Sequence, residues 1–105
     1  MSLQEEVLLF LKFIKPDLVS NGIKNIGLFG SIAKNKNTQN SDIDIVYETT
    51  DKFINKHKGW SAFTYLNDNL REKVKNKFNI DVDMFDLNSS SSIREKVKKE
   101  ALYVW

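Results

Sequence analysis

With 105 residues the chain has room for one hydrophobic core and no more. A hydrophobic fraction of 41% and a charged fraction of 29% fit a globular domain rather than a disordered chain, and the lack of cysteine excludes disulfides, thiolate metal sites and a thiol nucleophile. The net charge of +2 argues only for mild affinity toward a polyanion such as a nucleoside triphosphate; no apolar run nears the ~20 residues that span a bilayer, so no membrane role is expected and the expected compartment is the cytoplasm.

In chain order, Ser2-Leu3-Gln4-Glu5 has capping-box spacing, which predicts a helix from Leu3 with Leu3, Val7, Leu11 and Ile14 on one face. Pro16 is expected to break or restart that helix, and Asn21-Gly22 to end it in a left-handed turn. Ile23 to Phe29 reads as a short buried strand, with Gly27 marking a place where something packs closely. A Gly30-Ser31 turn and a short helical segment follow, then a polar loop from Lys34 to Ser41 that is longer than a connection needs. Asp42 to Glu48 is the second strand, and residues 49–59 stay unassigned. His57 is expected to be a solvated loop residue.

From Trp60, an amphipathic helix carries Trp60, Phe63, Leu66, Leu70, Val74 and Phe78 at intervals of three or four, so Trp60 and Phe63 are expected in the core. Asn79 ends it, and Ile80 to Phe85 forms a third strand. Ser92-Ile93-Arg94-Glu95 repeats the capping-box pattern and opens a last helix with Ile93, Val97, Ala101 and Val104 turned inward. Tyr103 is expected to pack inward and Trp105 to touch a partner. The sum is an α/β (α+β) domain over residues 1–105, one small sheet covered by helices, with strand order and direction left open. The lysines from Arg71 to Lys77 and from Arg94 to Lys99 read as solvated helix faces, and nucleic-acid binding is not favoured.

The chemistry concentrates between Phe29 and Tyr47. Residues two apart on a strand share a face, so Asp42 and Asp44 project side by side, and Asp81 and Asp83 do the same on the third strand. Neighbouring carboxylates repel unless a cation or a shared proton lies between them, and hard oxygen ligands suit Mg²⁺. The Gly30-Ser31 turn offers backbone N–H groups, which suit phosphate oxygens. Any one of these acids alone is more often a surface residue. Two Asp-x-Asp pairs together with a Gly-Ser turn point to metal-assisted phosphoryl or nucleotidyl transfer.

Gly30-Ser31, ten intervening residues and Asp42-Ile43-Asp44 resemble the signature of the polymerase-β-type nucleotidyltransferases. The stretch Ile26 to Lys34, Ser41 to Asp44, Val82-Asp83-Met84-Phe85 and Glu100 to Val104 are similar to the minimal, MNT or MntA-like branch, over nearly the whole chain. The resemblance implies a single-domain nucleotidyltransferase fold that uses ATP as donor and two Mg²⁺ ions. It implies that Gly30 and Ser31 hold the triphosphate, that Asp42 and Asp44 ligate metal, and that Asp83 is the third carboxylate, with Asp81 as the fallback if the register slips by two. Lys34 stands at the branch's basic position, to contact phosphate or to fix the loop. Asn35 departs from the branch, which has glycine there; asparagine tolerates a left-handed backbone better than other non-glycine residues.

The same resemblance implies AMP transfer to a tyrosine of an HEPN-domain toxin, with this chain as antitoxin. Larger relatives carry an added acceptor-binding domain, so a small, weakly held acceptor or a partner protein is expected. Two alternatives stand beside that reading: an interaction protein that silences its partner by binding alone, and transfer to a small molecule such as an aminoglycoside. Self-association is left open.

Overall fold

The computed structural model describes residues 1–104, and Trp105, with the partner contact expected of it, lies outside the described residues. Helix α1 (Leu3–Ser20) opens on the expected capping box: the Glu5 amide donates to Ser2 Oγ at 3.1 Å, and the Ser2 amide donates to the Glu5 carboxylate at 3.3 Å. Val7, Leu11, Ile14 and Leu18 form its buried stripe. The expected break at Pro16 does not occur. Pro16 and Lys12 are both exposed, so the Lys12 carbonyl that loses its helical partner sits on the watered side. Gly22, at φ +99°, makes the left-handed stop.

Strands β1 (Ile23–Phe29), β2 (Ile43–Thr49), β3 (Val82–Asp86) and β4 (Leu102–Tyr103) form one mixed sheet in the order β3-β2-β1-β4. β1 runs antiparallel to β2 and β4, whereas β2 and β3 are parallel. A parallel pair needs a crossover, and here it consists of α3 (Asp51–Lys56), α4 (Trp60–Leu66), a π-helical turn (Asn67–Arg71) and α5 (Glu72–Phe78). On one face of the sheet Ile26, Leu28, Ile43 and Ile45 belong to one core with α1 and with Leu66, Leu70 and Val74 of the crossover. On the other face Val46 packs with Leu87 and with Val97 of α6 (Arg94–Glu100), beside half-buried Phe29 and Phe85. The single mixed sheet with helices is the expected α/β class.

Three further expectations are corrected. Trp60 and Phe63 are 84% and 69% exposed and pack mainly on each other, ring centroids 5.7 Å apart. The π turn inserts a residue's worth of rotation, so upstream of it the inward face moves to Ala62, Tyr65 and Leu66. The last helix ends at Glu100, and Leu102–Tyr103 turns extended to pair with β1; Ile93 is half exposed, and its amide bonds to Ser91 Oγ at 3.3 Å, so no capping box forms there. His57 is not a free loop residue: its ring lies 4.9 Å from Phe53 and 4.4 Å from Tyr65, with Nε2 3.3 Å from Asn21 Oδ1. Gly27 behaves as expected, since a Cβ there would sit 2.8 Å from the Leu102 carbonyl oxygen. Among the described residues no helix is long and apolar enough to cross a membrane.

Candidate active site

β1 ends at Phe29, directly opposite Asp44 of β2. The next residue, Gly30, takes φ +79° to turn the chain into the short helix α2 (Gly30–Ala33), a conformation that L side chains rarely adopt. A Cβ at Gly30 would overlap the Asp44 carboxylate, with Cγ 3.2 Å away. The acid therefore lies against the bare backbone of the turn. Ser31 Oγ donates to Ser41 Oγ at 3.0 Å, and Ser41 Oγ also accepts the Thr38 amide at 2.9 Å, so the polar loop is tied back beside Asp42. The loop leaves α2 through Asn35 at φ +56°, the left-handed geometry that asparagine tolerates. Lys34 is turned toward Glu100, Nζ to carboxylate 3.9 Å, in an exposed pair.

The parallel register of β2 and β3 sets Asp44 beside Asp83 and Ile43 beside Val82, and the Ile43 amide donates to the Asp81 carbonyl at 2.9 Å. Asp42, Asp44 and Asp83 gather at the end of the sheet where β2 and β3 begin. Asp81 diverges: its side chain is 78% exposed and pairs with Lys75 at 3.5 Å. Partial loss of water raises the Asp44 carboxyl above its ordinary range, and the charges of Asp83 and Asp42 raise it further. Asp42 is raised as well, first by desolvation, then by the charges of Asp83 and Asp81 and by hydrogen bonding with Asp83. Among the described residues, none of Asp42, Asp44 and Asp83 has a cationic side chain within ion-pair distance.

This donor set fits a divalent cation, because hard oxygens crowd together without a positive partner. Among the described residues no three His, Cys, Asp or Glu side chains form a ready-made metal cage. Mg²⁺ does not need one: it keeps waters and is commonly held by one or two carboxylates together with substrate phosphates.

Two features escaped the sequence. Ser41 stands in the family-like stretch Ser41 to Asp44 with no role of its own, and only the fold shows its hydroxyl tying the loop to Ser31. Arg71 reads as one more cation on a solvated face, yet it closes the π turn and lines a cleft of about 290 Å³ with Asp42, Lys75, Asp81 and Asp83. Among the described residues its Nε is buried without a hydrogen-bond partner.

A mixed sheet whose end gathers three carboxylates beside a Gly-Ser turn defines a domain of the nucleotidyl-transfer class. Residues 12–104 match the family model described as Polymerase beta, Nucleotidyltransferase, and the chain belongs to that family. No curated protein is significantly similar in sequence. Among solved structures, the chain is similar to a protein assigned as a minimal nucleotidyltransferase, with 17% identity, TM-score 0.69, and coverage of 97% of this chain and 95% of that one. It is also similar to a toxin–antitoxin structure with AMP-PNP, with 26% identity, TM-score 0.61, and coverage of 90% and 72%. A third is a toxin–antitoxin pair, MntA–HpeT, mutated from aspartate to glutamate at two positions, with 23% identity, TM-score 0.60, and coverage of 97% and 71%. The resemblance to the polymerase-β-type nucleotidyltransferases is borne out, and the chain shares its fold with the solved minimal nucleotidyltransferase and with the MntA–HpeT structure.

Proposed function

We propose that this nucleotidyltransferase is Mg²⁺-dependent, moves AMP from ATP to a protein hydroxyl, and acts as an antitoxin by modifying a tyrosine of a partner toxin of HEPN type. The observation that carries the reading is the Asp44 carboxylate lying against the Gly30 backbone with Asp83 beside it across the β2–β3 pair, and Asp42 within reach of the Asp83 charge. Two of the structural neighbours are toxin–antitoxin pairs, and one of those holds AMP-PNP.

In this reading Gly30 and Ser31 receive the triphosphate, the glycine because nothing but backbone fits there and the serine through its hydroxyl. Asp42, Asp44 and Asp83 would hold two Mg²⁺ ions, which supply positive charge against the phosphates. Asp83, on the β3 side, orients the acceptor hydroxyl and receives its proton on a carboxylate oxygen. Lys34, in an exposed pair with Glu100 at 3.9 Å, contacts phosphate or fixes the loop.

The test is incubation with α-labelled ATP, Mg²⁺ and the protein encoded by the neighbouring gene. Label on a tyrosine of that protein, lost in Asp44→Asn, is the expected result. A protein that still neutralises its neighbour after Asp42→Asn and Asp44→Asn together acts by binding alone, and the reading would then be abandoned.

A further inference from the structure

The polar loop between α2 and β2 is fastened at both ends to one residue. Where the loop leaves, the Ser31 carbonyl accepts the Lys34 amide at 3.2 Å and the Lys36 amide at 2.8 Å. Where it returns, the Ser31 hydroxyl bonds Ser41 Oγ at 3.0 Å. Ser41 is also tied within the loop: its Oγ accepts the Thr38 amide at 2.9 Å, and its own amide donates to the Thr38 carbonyl at 3.2 Å. Asp42 follows directly, and β2 begins at Ile43. Ser41 thus joins the residue after the Gly30 turn to the segment that carries Asp42 and Asp44.

A hydroxyl has one proton to donate and two lone pairs to accept with. Ser41 Oγ accepts twice, from Ser31 and from the Thr38 amide, and its own proton has no acceptor among the described residues. If Ser31 gives its proton to a phosphate oxygen, as the proposed function has it, that proton is lost to Ser41. The bond between the two oxygens then survives only when Ser41 turns its spare proton toward Ser31. We propose that Ser41 is a positioning residue for the triphosphate and acts through Ser31: on nucleotide binding the hydrogen bonds run one way, from the Thr38 amide to Ser41, from Ser41 to Ser31, and from Ser31 to phosphate. This inference rests on the proposed function above and adds to it a side chain that does not itself touch the nucleotide.

Every donor in that chain points toward the anion, and hydrogen bonds so aligned strengthen one another. Both serines are half-buried, so the bond between them is partly shielded while the Ser31 hydroxyl stays within reach of a ligand. A staple that only closed the loop would change stability and leave affinity alone. The relay makes the loss of Ser41 felt in affinity, and only while Ser31 is present.

The experiment measures AMP-PNP affinity in Mg²⁺ for wild type, Ser31→Ala, Ser41→Ala, the double Ala variant and Ser41→Thr, after thermal melts have confirmed folding. The inference predicts affinity about 5- to 20-fold weaker in Ser41→Ala. The double variant should match Ser31→Ala within about twofold, because removing Ser41 costs nothing further once Ser31 is gone. Ser41→Thr keeps the hydroxyl and should bind better than Ser41→Ala. If Ser41→Ala does not fold, Ser41→Cys, which keeps the size and weakens the hydrogen bonds, takes its place. Losses that add in the double variant, wild-type affinity in either single Ala variant, or Ser41→Thr as weak as Ser41→Ala would each overturn the inference. Those results leave the proposed function standing so long as wild type binds AMP-PNP and Asp44→Asn does not. A wild-type protein that binds no AMP-PNP in Mg²⁺ overturns the proposed function, and this inference with it.

Discussion

The Asp44 carboxylate occupies the space that a side chain at Gly30 would fill, with Cγ 3.2 Å from an ideal Cβ at that position. The turn and the acid are thus a single feature. Gly30→Ala combines that clash with a backbone at φ +79°, a strain of about 1–3 kcal/mol. The expected outcome is a lower urea midpoint and weakened Mg²⁺-dependent AMP-PNP binding. The control is Gly59→Ala, also at positive φ but with open space around it, where stability falls and nucleotide binding holds.

Asp44→Asn removes a carboxylate whose pKa is raised by partial desolvation and by the charges of Asp83 and Asp42. Without divalent metal, the variant is expected to melt a few degrees above wild type, on the order of 4–8 °C per kcal/mol for a domain of this size. Adding Mg²⁺ and AMP-PNP should raise the wild-type melting temperature far more than the variant's. Calorimetric melts with and without the ligands check both.

Acidity gives an independent handle. The folded-state pKa values of Asp42 and Asp44 are raised, so between the unfolded value near ~3.9 and the raised folded values the native state binds more protons than the unfolded chain. Their contribution to stability is therefore present at low pH and is lost as pH rises through the folded pKa values. Metal binding needs the deprotonated acids and runs the other way. Melting temperature against pH should fall through that window without metal, relative to the double Asn variant, and the stabilisation by Mg²⁺ should grow through the same window.

The β1–β4 contact can be tested at Gly27, whose missing side chain lets the Leu102 carbonyl approach. Gly27→Val should push β4 away, break the Val104-to-Ile26 bond of 2.9 Å, and cost about 1–3 kcal/mol. Urea unfolding at unchanged m-value measures it.

Much of this architecture was legible from local pattern. The buried stripe of α1, the alternation of β2 and β3 and the Gly30-Ser31 turn each declare themselves by spacing, because one face of each element meets the core. Long-range geometry was less accessible. That Asp83 rather than Asp81 lies beside Asp44 follows from a parallel register, which no spacing within β3 reports. Trp60 and Phe63 fit a helical stripe in the sequence, yet the π turn downstream rotates them into solvent. Leu102–Tyr103 continues a helical pattern and becomes a strand only because β1 offers a free edge at Gly27. Pro16 stays in its helix because the bond it removes faces water.

The most direct measurement is a crystal structure of the full chain with Mg²⁺ and AMP-PNP. The account predicts Mg²⁺ about 2.0–2.1 Å from oxygens of Asp42, Asp44 and Asp83, with the phosphates over Gly30 and Ser31. Nucleotide bound elsewhere on the chain, or metal held without Asp83, would contradict it.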